Sequence, residues 1–483
     1  MVPKFIKHIV KKVYCAWYVY HKGLFDPKWY RKRYPEVNKS WLPAYLHYLR
    51  NGHKLEYYPS EYFSPLIYTA YHQDLLGRKK CYLLHFAMND CWENLELYHT
   101  KIESVAPALY DTIKSEPSQK KKILLISHES SLTGAPRALL NLAICLKKQD
   151  MLPYILTLKQ GPLDAECEKH GIPHDFISPS LFFSDLINSK LSENLIKTVD
   201  LFDIILFNTI VAVPLIKSIS KSRPRKYCWI HDGSVGFEGW SRMHNLAEIF
   251  NDYDRIFAVG NYTINLVKSY SKVEIQVENL LYGIDDVLKD PELDNINPCW
   301  PIEGDEHKLK FILAGTLESR KGQNILLDAL NLLPAEILES MSFVLVGGVC
   351  DKEVEQNILK SKKKCVHYLG VVKHQTLLSY MKKTDVLLCP SLDDPMPIVC
   401  TEAFMLSKPV IAGTSTGTAS LIKNEKNGFV TVSGNAKSLA DNILKVFKMK
   451  DELEEIGRNG RKIYDEWFTM EVFSKNVRSI FLN

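Results

Sequence analysis

From residue 121 onward the chain alternates short apolar runs with amphipathic stretches. Residues 122–127, Lys-Ile-Leu-Leu-Ile-Ser, are apolar on both faces, the pattern of a strand buried inside a parallel sheet. A Gly/Pro loop and a helix over 138–146 follow. Strand-like runs recur at 153–158, 204–208, 226–230, 255–259 and 274–280, with helical stretches between most of them. A second series occupies 311–314, 342–346, 366–369, 386–388 and 410–412, again with helices between. The alternation predicts an α/β fold of two doubly wound, Rossmann-like domains. Pro298, Pro301 and Gly304 mark a hinge over 297–305. In such sheets ligands bind outside the carboxyl ends of the strands, so two domains predict a cleft.

The pattern ahead of residue 121 differs. Phe5, Ile9, Val13 and Trp17 recur every four residues opposite Lys4, Lys7, His8, Lys11 and Lys12, which predicts a basic amphipathic helix over 1–23. Such a helix fits an anionic membrane interface, and equally a helix docked on its own protein. Residues 24–98 repeat at an offset of 38: Phe25-x-Pro27 with Phe63-x-Pro65, Leu46-His47-Tyr48 with Leu84-His85-Phe86, and Asn51 with Asn89. Two helical units would bury these aromatics together, with the histidines in structural roles. The expected boundaries are a linker at 99–120, an acceptor-side domain at 121–300, a donor-side domain at 301–465, and a C-terminal helix at 466–483 returning to the first domain.

Charge follows the same division. Residues 1–60 hold 12 Lys/Arg and three acids, a net +9, while the remaining residues sum to −4. The body therefore lacks the spread of basic side chains that nucleic-acid binding requires. No window reaches the ~20 apolar residues of a spanning helix, and Lys7, His8, Lys11 and Lys12 interrupt any signal-peptide core. The 11 cysteines include no C-x-x-C pair, which fits reduced thiols and a cytoplasmic protein.

Four segments at strand ends carry candidate chemistry. Ser131-Leu-Thr-Gly-Ala-Pro-Arg137 places Gly134 where backbone can approach a ligand at a helix start, although a plain turn has the same pattern. Trp229-Ile-His-Asp-Gly233 places His231 at a strand end, where it can bond a ligand hydroxyl or serve the fold. Gly315-Thr-Leu-Glu-Ser-Arg-Lys-Gly322 sets two cations before a helix over 323–333, a diphosphate cradle or a solvated turn. Pro390-Ser-Leu-Asp-Asp-Pro-Met-Pro397 leads into a helix near Ile398, with Glu402 in its second turn. Asp393 and Asp394 fit a charge-stabilised helix start. Glu402 reads as a lone buried acid, which is costly without a function.

In this order the segments resemble glycosyltransferase family 4, retaining enzymes of the GT-B fold, over about residues 121–480. Leu281-Tyr-Gly-Ile-Asp285 resembles that family's N-G-[IV]-D segment, and Asp394 through Glu402 its E-x(7)-E region. The resemblance implies that Gly134 approaches donor or acceptor and that His231 contacts the transferred sugar. It implies Gly315, Thr316, Arg320 and Lys321 at the donor diphosphate, and backbone at Val371 and Val372 against the base. Met396, Pro397, Ile398 and Val399 would meet sugar and phosphate, Glu402 would hold the ribose, and Asp394 would stand for the first acid. Asp394 replaces the usual Glu, and Thr316 stands where an arginine is often found. The aromatic repeat resembles an appendage of some bacterial surface-polysaccharide glycosyltransferases.

The expectation is a retaining transferase using a UDP-, GDP- or dTDP-linked sugar, a glycan or lipid-linked acceptor, and no cofactor or metal. A nucleotide-sugar epimerase or hydrolase on the same fold, and a catalytically silent sugar-nucleotide-binding subunit, are the alternatives. Asp252-Tyr-Asp254 reads as a metal-binding D-x-D only at the cost of leaving the second α/β domain unexplained.

Overall fold

The computed structural model describes residues 19, 24–39, 42–55, 57–60, 63, 81–89, 113–115, 119–158, 160–176, 196–242, 244–271, 274–289, 297–361 and 363–482. The expected amphipathic helix, most of the linker, and part of the second repeat copy lie outside these residues. Packing divides the chain into two compact units that interleave along the sequence. One comprises Met1–Ser131, Met151–Lys226 and Glu238–Asp254; the other comprises Leu132–Asp150, Tyr227–Phe237 and Arg255–Asn483.

In the first unit the described residues of 24–98 include short helices α1 (Pro27–Arg33), α2 (Ala44–Arg50) and α3 (Tyr82–Asn89). Phe25, Tyr48, Phe63 and Phe86 are buried together in one core. His47 is buried as well, its Nδ1 3.1 Å from the Tyr30 hydroxyl, so this histidine serves packing. Asp26 starts α1 by accepting the amides of Lys28 and Trp29.

The strands form two all-parallel sheets. The first takes the order β3-β2-β1-β4-β5-β6-β7 from β1 (Lys122–Ser127), β2 (Leu152–Thr157), β3 (His174–Phe176), β4 (Ile204–Asn208), β5 (Arg225–Ile230), β6 (Arg255–Ala258) and β7 (Val277–Asn279). The second takes the order β10-β9-β8-β11-β12-β13 from β8 (Leu309–Ala314), β9 (Met341–Val346), β10 (Val366–Tyr368), β11 (Val386–Cys389), β12 (Val410–Gly413) and β13 (Phe429–Thr431). Strands β4 and β9 are buried at every position, as a sheet covered on both faces requires. β3 and β13 were not expected from the sequence; each is a three-residue strand at the edge of its sheet.

The helices that matter for the site belong to the second unit, one of them by its first turn, Ser234–Phe237. They are α4 (Gly134–Lys148), α5 (Ser234–Ser241), α6 (Gly260–Tyr270), α7 (Gln323–Asn331), α8 (His374–Lys383), α9 (Ile398–Met405), α10 (Leu453–Trp467) and α11 (Met470–Phe481). α7 stops two residues short of the expected end, its last amide-to-carbonyl bond running from Leu332 to Ala329. α11 packs on α4, where Gln149 donates to the Ser474 carbonyl at 2.8 Å, and Phe473 stacks on Trp229 at 5.9 Å.

Candidate functional site

The second sheet reverses its winding between β8 and β11, because β9 and β10 extend it one way and β12 and β13 the other. Loops leaving the carboxyl ends of β8 and β11 therefore diverge to opposite faces and leave a crevice between them. The two charged segments emerge at this point. After β8 the chain passes Gly315 and makes a single turn, Ser319–Lys321. Gly322 then starts α7 at φ +80°, and a Cβ there would lie 2.3 Å from the Pro390 carbonyl oxygen, so only glycine fits this close approach. The Leu392 amide donates to the Arg320 carbonyl at 2.8 Å, which stitches the two loops together.

Side chains complete the join. Lys321 Nζ lies 2.6 Å from Asp394 Oδ2, and Arg320 Nη1 donates to the Asp393 carbonyl at 2.6 Å. Arg320 Nη2 also donates to Glu318 at 2.7 Å. Asp394 is fixed from the far side as well: its amide donates to Ser415, and its carbonyl accepts from Gly417. Lys321 uses one of its three donors on Asp394, so two remain for an anion. Arg320 and Lys321 are thus brought to Asp394, while the exposed Thr316 offers its carbonyl to Gln323 at 2.9 Å.

The plain alternative for the two aspartates, a charge-stabilised start for their own helix, does not match the side chains: neither caps α9, whose N-cap is Pro397. Asp393 instead accepts the amides of Ser234 at 2.9 Å and Val235 at 3.0 Å, capping α5, together with the Tyr262 hydroxyl at 2.7 Å. The contact leaves no room at Gly233, where a Cβ would meet Asp393 Oδ1 at 2.0 Å. His231 is thereby tethered to the 390–397 loop through Gly233 and Ser234, and its ring lies 4.3 Å from that of Trp229. Burial and the bond to Asp393 push the Tyr262 hydroxyl up to about 12.

Glu402 is buried, and it is not alone. Its Oε1 lies 2.6 Å from Nε2 of His374, the first residue of α8. His374 stands two residues after Val372, so the turn that holds Val371 and Val372 is connected to Glu402 by this bond. Val371 itself is 78% exposed. Met396 and Pro397 are buried and Ile398 and Val399 half-buried at the start of α9. The Tyr282 hydroxyl donates to the Met396 carbonyl at 3.1 Å and bonds Thr401 at 2.9 Å, which braces this loop. Gly134 is the first residue of α4, and a Cβ there would meet nothing within 4 Å.

Three buried carboxylates, Asp393, Asp394 and Glu402, are each neutralised or hydrogen-bonded, as burial of charge demands. Sequence reasoning missed four of their partners: His374, Tyr262, Ser234 and Val235. A histidine opening a helix and a tyrosine inside one carry no motif; only the fold brings them to the acids. In the other unit, Asp254 of the D-x-D accepts the Lys226 amide at 2.6 Å, which joins the starts of the neighbouring strands β5 and β6. Among the described residues no group of three or more His, Cys, Asp or Glu is placed to hold a metal ion.

This crevice falls within a stretch of recognised family. Residues 301–463 match the family model for glycosyl transferases group 1. They form a group 1 glycosyl transferase domain. The relatives agree. An uncharacterized glycosyltransferase of Methanocaldococcus jannaschii is 27% identical over 180 residues, 37% of this chain and 49% of that one. The amylovoran biosynthesis glycosyltransferase AmsK of Erwinia amylovora is 21% identical over 264 residues, 50% of this chain and 60% of that one. The chain spans about half the length of the curated relatives it matches. Among solved structures, Anabaena HepE in complex with UDP and glucose aligns with a TM-score of 0.62 at 20% identity, covering 75% of this chain and all of that one (100%). That likeness shows the fold: two parallel-sheet, Rossmann-like domains of the GT-B type. The group 1 domain contains Arg320, Lys321, His374, Asp394 and Glu402.

Proposed function

We propose that this chain is a retaining glycosyltransferase of family 4 type, moving a sugar from a nucleotide-sugar to a glycan or lipid-linked acceptor in bacterial surface-polysaccharide synthesis. The observation that carries the reading is the cluster of Arg320, Lys321 and Asp394 at the winding reversal of the group 1 domain. A diphosphate entering there meets two cations and the uncapped start of α7. These groups stabilise the charge that develops on the leaving diphosphate, so the reaction as proposed draws on no metal. Asp394 orients hydroxyls of the transferred sugar, Glu402 holds the ribose, and His231 faces the sugar from the β5 end. The acceptor hydroxyl attacks from the face the diphosphate leaves, which gives retention. HepE binds UDP and glucose, and AmsK is named for amylovoran biosynthesis; both support a nucleotide-sugar donor and a polysaccharide product.

The test is incubation of the purified protein with UDP-, GDP- and dTDP-sugars and cell-envelope acceptors. Nucleotide release that depends on acceptor is the expected result. Release without acceptor points to an epimerase or hydrolase. Binding without turnover on any pair points to a silent subunit, a reading favoured by Asp394 in place of the longer glutamate. Lys321→Ala and Glu402→Ala should each lose most activity while the protein stays folded; normal turnover in both would overturn the site.

The basic end belongs to the same proposal. Among the described residues no helix is long and apolar enough to cross a membrane. Residues 1–60, at +9, place a cytoplasmic enzyme peripherally on the anionic inner face of the cell membrane, near a lipid-linked acceptor. Flotation with anionic liposomes compares the full chain with one starting at Ser115. Equal flotation would remove the membrane role.

A further inference from the structure

Glu402 is held in an unusual way for a buried acid. Its side chain is 6% exposed, and that of its partner, His374, is 42% exposed. The 2.6 Å bond engages Oε1 alone. Among the described residues Oε2 makes no hydrogen bond, so its two acceptor positions are open and their direction is set by the imidazole. A vicinal diol presents two O–H donors to such an oxygen.

We propose that His374 is a positioning residue that fixes the Glu402 carboxylate to receive both the 2′- and 3′-hydroxyls of a ribose, making the site selective for ribonucleoside over 2′-deoxyribonucleoside diphosphates. The proposal rests on the reading of Glu402 as the ribose acceptor and narrows the donor: UDP- or GDP-linked sugars fit, and dTDP-linked sugars are disfavoured. The reason is physical. A site built to accept a hydroxyl rejects an analogue that lacks it, because a nearly buried carboxylate is then left short of a donor. Without His374 the carboxylate rotates to solvent or to other donors, and the second hydroxyl no longer finds it.

Calorimetric titration of the full-length protein with UDP, 2′-deoxy-UDP, GDP and 2′-deoxy-GDP tests this. The base that binds more tightly defines the pair. The wild-type protein should prefer the ribonucleotide by about tenfold or more, the scale of one hydrogen bond to a charged acceptor. His374→Ala should weaken the ribonucleotide and bring the two within about twofold, with an unchanged near-UV circular dichroism spectrum. His374→Gln, whose amide can donate in place of Nε2–H, should recover most of the preference. Full preference in His374→Ala, or tighter ribonucleotide binding there, would refute the positioning role while leaving Glu402 in place. A wild-type protein without preference, or a Glu402→Gln variant that keeps it, would instead remove the ribose reading of Glu402. Failure of all four nucleotides to bind would sink both.

Discussion

Replacing Asp393 by alanine removes three acceptor contacts at once. The Ser234 and Val235 amides lose the carboxylate that caps α5, at 2.9 and 3.0 Å, and the Tyr262 hydroxyl loses its 2.7 Å partner. Loss of an N-cap costs about 1 kcal/mol, and loss of a hydrogen bond to a charged, buried acceptor about 1.5–3 kcal/mol. Asp393→Ala should therefore destabilise the second unit by roughly 2.5–4 kcal/mol. Tyr262→Phe alone removes only the phenol bond and should cost about 1.5–3 kcal/mol. In the Asp393→Ala background the hydroxyl has no carboxylate to lose, so the same change should cost about 0.5 kcal/mol or less. Urea unfolding followed by tryptophan fluorescence reads these values; Trp229 and Trp240, both buried, flank the capped helix start. Equal effects of Tyr262→Phe in the two backgrounds, or an Asp393→Ala cost near zero, would show that Asp393 does not hold these elements together.

Three further outcomes follow from the same geometry. Gly322→Ala forces a Cβ to 2.3 Å from the Pro390 carbonyl at φ +80°, which should cost on the order of 1–3 kcal/mol in urea unfolding and weaken donor binding; a neutral substitution would contradict the close approach. The Tyr262 hydroxyl, raised to about 12 from its usual 10, binds its proton more tightly folded than unfolded. Its contribution is intact below pH 10 and fades as pH climbs toward 12, so the wild-type protein should lose more stability than Tyr262→Phe across that window in pH-dependent thermal melts. Because Arg320 and Lys321 meet the diphosphate in the proposed reaction, EDTA should leave transfer unchanged; a loss restored by a divalent cation would show that these two residues do not suffice.

The order of strands and helices was legible because parallel strands covered on both faces must be apolar runs, and the helices between them must be amphipathic. Residues 204–208 illustrate this: the apolar run and β4 have the same ends. The strand ends then located the charged loops, since glycines, prolines and paired charges interrupt the apolar pattern there. β3 and β13, both three-residue edge strands, were not expected from the sequence. Phe25, Tyr48, Phe63 and Phe86 are buried in one cluster for a physical reason the composition already implies: aromatic area leaves water together.

The sequence by itself determined which residue types stand at each strand end, and thus that Arg320, Lys321, Asp394 and Glu402 are available for chemistry. The tertiary structure alone decided their partners. The winding reversal between β8 and β11 sets Lys321 against Asp394, although 73 positions separate them. It makes Asp393 the cap of α5, 159 positions away from Ser234. It also gave Glu402 the imidazole of His374. Local pattern encodes secondary structure because periodicity is a short-range property. Charge pairing inside a crevice depends on strand order, which arises only when the whole sheet has been assembled.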